Sequence, residues 1–204
     1  MLRFILGCIV AGLPLICVEV FSRLLKLNGE LTRKSTHVLS SLAVVSLTLF
    51  CSLNQIAMIA LVFFVFLLSI RHKKIWHSLY HVKRDTWGEI LFPVGVLAAA
   101  LIANTPHNFV TAMLLLGLSD TAASLVGQRF GKKHLTLVKH KTYTGSLACL
   151  FVSLCILIIW SGGPLLLLAV VALTVTLAEA IASKGLDNVL IPITALAMIS
   201  LLHL

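Results

Sequence analysis

Two carboxylates stand where their neighbours are apolar. Asp120 follows TAMLLLGLS and Glu179 follows VVALTVTLA. A charge in the middle of a membrane helix costs roughly 2.5 to 3.5 kcal/mol on insertion scales, so such a residue is read as functional by default. Around Asp120, the residues Gly117, Asp120, Ser124, Gly127 and Gly131 recur at intervals of three and four, which makes one helical stripe small or polar throughout. The segment QRFGKKHLTLVKHKTYTGS then supplies Arg129, Lys132, Lys133, Lys139 and Lys141 before Thr144, Gly145 and Ser146. Glycines let a polyphosphate approach the backbone, lysine and arginine neutralise it, and a nearby carboxylate suits its Mg²⁺. The GxxxxGK[ST] loop of the P-loop proteins is absent. The same residues also have plainer readings: a small-residue stripe packs helices, and a basic loop marks topology.

Other polar groups share this pattern. Thr176, Glu179 and Ser183 lie on one helical face, and Asp187 and Asn188 open the next apolar stretch with Pro192 about one turn further on. Arg33, His37 and Ser40, or Lys34, His37 and Ser41, lie on one helical face. Helix packing gives no reason for the Asp120 charge, so Asp120→Asn is expected to leave membrane insertion unharmed.

The elements that position these groups follow from composition. Of 204 residues, 59% are hydrophobic and 11% charged, and the mean hydropathy is +1.07. These values exclude a water-soluble domain, and no polar block is long enough for an independent core. The chain reads as one transmembrane domain over residues 1–204, an all-α polytopic bundle of about eight transmembrane helices. They are placed near 4–21, 38–54, 55–70, 89–104, 108–127, 143–160, 164–182 and 188–204. Seven spans plus a re-entrant segment is the alternative, because the fourth stretch is short. Cys8, Cys17, Cys51, Cys149 and Cys155 have neither CxxC pairing nor zinc spacing and read as small core residues.

Charge placement orients the bundle. The first joint carries Arg23, Lys26, Arg33 and Lys34; the third carries Arg71, Lys73, Lys74, Lys83 and Arg84. The fifth carries the five cations after Gly127, and the seventh carries Lys184, so only Arg3 lies opposite. The positive-inside rule makes the basic face cytoplasmic and both termini non-cytoplasmic. The formal charge of +9 therefore requires no nucleic-acid partner. Glu19, Glu30, Asp85, Glu89, Asp120, Glu179 and Asp187 fall on that same side. Solvated loop ion pairs explain Glu30 and Asp85 but not Asp120 or Glu179.

The segments SDTAASLVGQRFGKK and KTYTGS resemble the signature of the membrane CTP-dependent lipid kinases, the group of phytol kinase, dolichol kinase and the CTP-dependent diacylglycerol kinase. RKSTH at 33–37, WGEILFP at 87–93, Glu179 and GLDNVLIP at 185–192 agree in order, so the resemblance covers about residues 30–192. The chain has Ser119-Asp120 where that group usually has Gly-Asp, and Lys141-Thr142 where it has Lys-Ser.

The resemblance implies a transferase that moves the γ-phosphoryl group of CTP to the hydroxyl of a lipid alcohol of phytol, dolichol/polyprenol or diacylglycerol type. Asp120 and Glu179 would be catalytic and hold Mg²⁺. Gly127, Arg129, Gly131, Lys132, Lys133, Lys141, Gly145, Ser146 and Asn188 would bind the nucleotide and its phosphates, with Arg33, Lys34, His37, Glu89 and Asp187 in support. Its partners would be CTP, the lipid alcohol and the bilayer, and a homo-oligomer is compatible with the sequence. The expected location is a bacterial inner membrane with the site facing the cytoplasm, where a nucleotide and a lipid headgroup can meet. Two alternatives stand beside this reading. One is CMP transfer to a lipid phosphate, as in the phosphatidate cytidylyltransferases; the other is a small membrane transporter of an anionic solute with the carboxylates as a proton relay.

Overall fold

The computed structural model describes residues 1–25, 29–71, 87–135 and 141–204. Lys26, Lys73, Lys74, Lys83, Arg84, Asp85 and Lys139, which entered the charge argument, lie outside the described residues. The described residues form eight helices: α1 (Leu2–Leu25), α2 (Gly29–Leu47), α3 (Leu53–Ile70), α4 (Gly88–Ile102), α5 (Pro106–Phe130), α6 (Tyr143–Ser161), α7 (Leu165–Ile181) and α8 (Asp187–Leu201).

Local chemistry sets several of these ends. Ser52 and Gln55 make a reciprocal capping box that starts α3, with hydrogen bonds of 3.3 and 3.0 Å. Thr105 caps α5 through the Asn108 amide at 3.1 Å, and Pro106 occupies the first helical position, where its missing N–H costs nothing. Thr142 caps α6 through the Gly145 amide at 3.1 Å. Gly162, at φ 69°, ends α6 in a conformation that residues with a Cβ avoid.

Four helices, α1, α3, α5 and α6, are long and apolar enough to cross a membrane. α4, α7 and α8 are apolar but have 15 to 17 residues. The outer surfaces carry exposed apolar side chains such as Ile9, Leu13 and Ile16 on α1 and Met58, Val62 and Val65 on α3, as a lipid-facing surface requires. α5 is the central helix. Of its apolar window 61% is buried, against 22% to 28% in the other three, and it packs on α2, α6 and α8. Leu47, Phe109, Met113, Leu116, Val175 and Ile191 fill the core around it.

Two features depart from the sequence-based spans. α2 begins at Gly29 rather than near residue 38, because its first turns are polar yet buried: Thr32, Lys34 and Thr36 all face into the bundle. A hydropathy template cannot see a buried polar helix end. Within α5, Leu115–Ser119 form a π-helical turn, as do Leu157–Ser161 in α6. Such a turn adds a residue and rotates the remainder of the helix by roughly 100° relative to a regular one. It stands immediately before Asp120.

Candidate functional site

The polar residues of the bundle gather at one end. They come from the C-terminal half of α5, the start of α2, the end of α7, and the starts of α4, α6 and α8. Asp120 is held by Lys34, whose Nζ lies 2.6 Å from Oδ2 and 3.4 Å from the Asp120 carbonyl oxygen. The two side chains are 5% and 3% exposed, so the pair is a desolvated one. His37 Nε2 stands 3.5 Å from the same carboxylate and donates to the Leu116 carbonyl at 3.2 Å, inside the π-helical turn. A carbonyl only accepts, which assigns the ring proton to Nε2. The His37 ring meets Phe92 of α4 edge-on at 5.3 Å.

A second node is built on Lys141, just before α6. Its Nζ pairs with Glu179 Oε1 and lies 3.4 Å from Asp187 Oδ2. Burial alone would lower the pKa of the Lys141 ammonium. Glu179, Asp187 and, further away, Asp120 outweigh that, and it is held above the ordinary lysine range. The two nodes therefore share one electrostatic environment.

Around them, Glu30 accepts from Arg33 at 2.8 and 3.2 Å, from Ser124 at 3.2 Å and from Gln128 at 3.0 Å, which ties α2 to α5. Glu30 precedes the apolar part of α2. Arg71 reaches Glu89 at 2.6 Å, with its guanidinium 3.6 Å from the centre of the Trp87 ring. Asn188 donates from its amide nitrogen to the Gly88 carbonyl at 3.1 Å.

Of the residues singled out in the sequence, Arg33, Lys34, His37, Glu89, Asp120, Lys141, Glu179, Asp187 and Asn188 come together at this end of the bundle. Arg129, Lys132 and Lys133 do not join them: Arg129 is exposed in the last turn of α5, and Lys132 and Lys133 are exposed just beyond it. Gly127, Gly131 and Gly145 are in close contact with other parts of the chain. A Cβ at Gly131 would lie 2.2 Å from the Gly127 carbonyl oxygen, and one at Gly145 would lie 2.7 Å from the Ala123 carbonyl oxygen. These glycines let α5 and α6 approach. Ser146 Oγ is buried without a hydrogen-bond partner among the described residues. Sequence reasoning treats Glu30 as an ordinary loop ion and Arg71 as a topology charge. The spacing of Glu30 and Arg33 by three residues is the available signal for the first; the Arg71 pairing with Glu89 has none.

Among the described residues no group of three or more His, Cys, Asp or Glu is placed to hold a metal ion. Asp120 and Glu179, the expected Mg²⁺ ligands, are each engaged by a lysine.

Comparison with curated proteins and with solved structures finds no match. A family model does match: MatE, over residues 89–202. This overturns the resemblance to CTP-dependent lipid kinases and, with it, the transferase activity, phosphoryl transfer from CTP to a lipid alcohol, and CTP and Mg²⁺ as cofactors. MatE proteins are membrane antiporters that extrude drugs or toxic cations on an ion gradient, so neither a nucleotide nor a lipid phosphate enters their work. CMP transfer to a lipid phosphate falls with the same finding. The matched segment runs from the first turn of α4 to the end of α8, more than half of an integral membrane protein, and the chain belongs to the MatE family.

Proposed function

We propose that this chain is a transporter that exports a drug-like or toxic cation in exchange for an ion moving down its gradient. The observation that carries the reading is the pair of buried carboxylates, Asp120 and Glu179, each neutralised by a lysine from another element at one end of the bundle. A carboxylate inside a membrane bundle can bind a proton or a cation in place of its lysine partner. The transporter alternative read from the sequence is closer than the enzyme, with one change: the solute is a cation rather than an anion.

The test uses the full chain reconstituted in proteoliposomes with ethidium as the solute. Ethidium is expected to move when a pH or Na⁺ gradient is imposed and to stop when the gradient is collapsed. Movement that ignores the gradient, or transfer of label from γ-labelled CTP to lipid by the same preparation, would sink the proposal.

The eight helices form one transmembrane unit in this reading, with the polar end and its basic residues on the cytoplasmic side and both termini opposite, in a bacterial inner membrane. Single cysteines placed at exposed Asn54 or Pro106 are expected to react with an impermeant thiol reagent from outside intact cells. Those at exposed Lys132 or Lys184 should react only after the membrane is opened. The reverse pattern would invert the site.

A further inference from the structure

Three cations that the polar site leaves out fall within residues 129–133, at the end of α5. Between Asp120 and Glu179 the chain has no Asp or Glu, yet it carries Arg129, Lys132, Lys133, Lys139 and Lys141. Of these, Lys141 is matched by Glu179 and Asp187. Arg129, Lys132 and Lys133 are exposed and make no ion pair among the described residues. Glu30, which reaches α5 at Ser124 and Gln128, is matched by Arg33. This end of the bundle therefore presents positive charge that no described carboxylate balances.

The positive-inside rule asks only that such residues lie somewhere in a loop. The fold holds them more closely than that. The Gly131 N–H donates to the Gly127 carbonyl at 2.9 Å and closes α5. The chain then turns back on itself: the Tyr143 N–H donates to the Lys133 carbonyl at 3.2 Å, the Leu135 N–H donates to the Lys141 carbonyl at 2.8 Å, and His134 and Thr142 form an antiparallel bridge. Lys132 and Lys133 are thereby tied to the first turn of α6. Exposed aromatic rings flank them. Phe130, 61% exposed, ends α5 with the Arg129 guanidinium 5.6 Å from its ring centre, and Tyr143, 53% exposed, opens α6. Rings beside basic residues at helix ends mark the headgroup level of a bilayer. About one turn deeper, Leu125 of α5 and Leu147 of α6 are exposed and apolar.

We propose that the end of α5 and the start of α6 bind an anionic phospholipid, with its headgroup phosphate contacted by Arg129, Lys132 and Lys133 and its acyl chains along Leu125 and Leu147. The unbalanced charge selects the head, and the apolar surface directly beneath it accommodates the chains. The proposal needs the chain to lie in a bilayer and makes no use of the transport reading.

Native mass spectrometry of the full chain in detergent, with added phosphatidylglycerol or phosphatidylcholine of identical acyl chains, tests this. The two lipids share a phosphate and differ in net charge. Phosphatidylglycerol is expected to bind at least about tenfold more tightly, a conservative figure for three basic residues worth roughly fivefold each at a membrane surface. The triple variant Arg129→Gln, Lys132→Gln, Lys133→Gln is expected to bring the two lipids close to equal binding. A control, Arg3→Gln, Arg23→Gln, Lys184→Gln, removes the same charge from exposed positions outside the patch and should keep the preference. Equal binding of the two lipids to the wild-type chain would overturn the proposal, and that comparison decides even if a variant fails to fold. An equal loss in the control would reduce the effect to net charge, and displacement of the lipid by inorganic phosphate would mark a site for a soluble anion; either result also overturns it. Ethidium movement in proteoliposomes is a separate measurement, so failure here and failure of the transport reading are told apart.

Discussion

Asp120→Asn is expected to abolish gradient-driven transport and to destabilise the bundle by about 3 kcal/mol or more, the loss typical of breaking a buried ion pair. Lys34, 3% exposed, would keep its charge with no carboxylate beside it. This reverses the expectation drawn from the sequence, in which packing has no need of Asp120. Its partner lies 86 residues away on α2, and only the folded bundle brings the two to 2.6 Å. The double variant Asp120→Asn, Lys34→Met removes both charges and should recover most of the stability while remaining inactive. Detergent melting and initial transport rates of the three proteins settle both halves. Wild-type melting of Asp120→Asn would show that the pair does not hold the fold, and a transporting double variant would remove Asp120 from the coupling mechanism.

Gly95→Ala is expected to disrupt the packing of α4 on α8 and to lower folded yield severely, by about 3 kcal/mol or more where overpacking ordinarily costs 1 to 3. A Cβ at Gly95 would stand 1.9 Å from the Asn188 carbonyl oxygen and 2.9 Å from its carbonyl carbon. Both are backbone atoms, so a rotamer change offers no relief and the helices must separate. Gly12→Ala supplies the control. Its Cβ would meet the tip of Phe63 at 3.5 Å, an ordinary contact. It should leave stability unchanged or raise it by up to about 1 kcal/mol through helix propensity. Similar melting of both variants would mean that α4 and α8 are not locked at this contact.

Hydropathy alone located most of the helices. The stretches expected near 55–70, 89–104 and 164–182 correspond to α3, α4 and α7 within three residues at either end. It failed where burial is polar, at the first turns of α2, because the method equates membrane depth with apolar composition. The charged residues at one end were also legible, since Asp120 and Glu179 stand out against Leu, Val and Ile. Their use was not. Lysines, glycines and carboxylates at these spacings suit a Mg²⁺–polyphosphate site and equally suit paired charges on closely packed helices. The close contacts of Gly127, Gly131 and Gly145, the exposure of Arg129, Lys132 and Lys133, and above all the MatE match separate the two.

What the sequence determined by itself is therefore the solvent and the polarity. A chain so apolar can only satisfy its backbone as membrane helices, and rare charges in it must be paired or functional. Tertiary structure alone decided which charges pair. Lys34 meets Asp120, Lys141 meets Glu179, and Arg71 meets Glu89, each pair joining different elements of the chain. The same holds for a cavity beside Asn188, walled by α1, α2, α3 and α4. Leu, Ile and Val are so common here that no local pattern marks the few that line a space, because a void is a property of how helices fail to touch and not of any one of them.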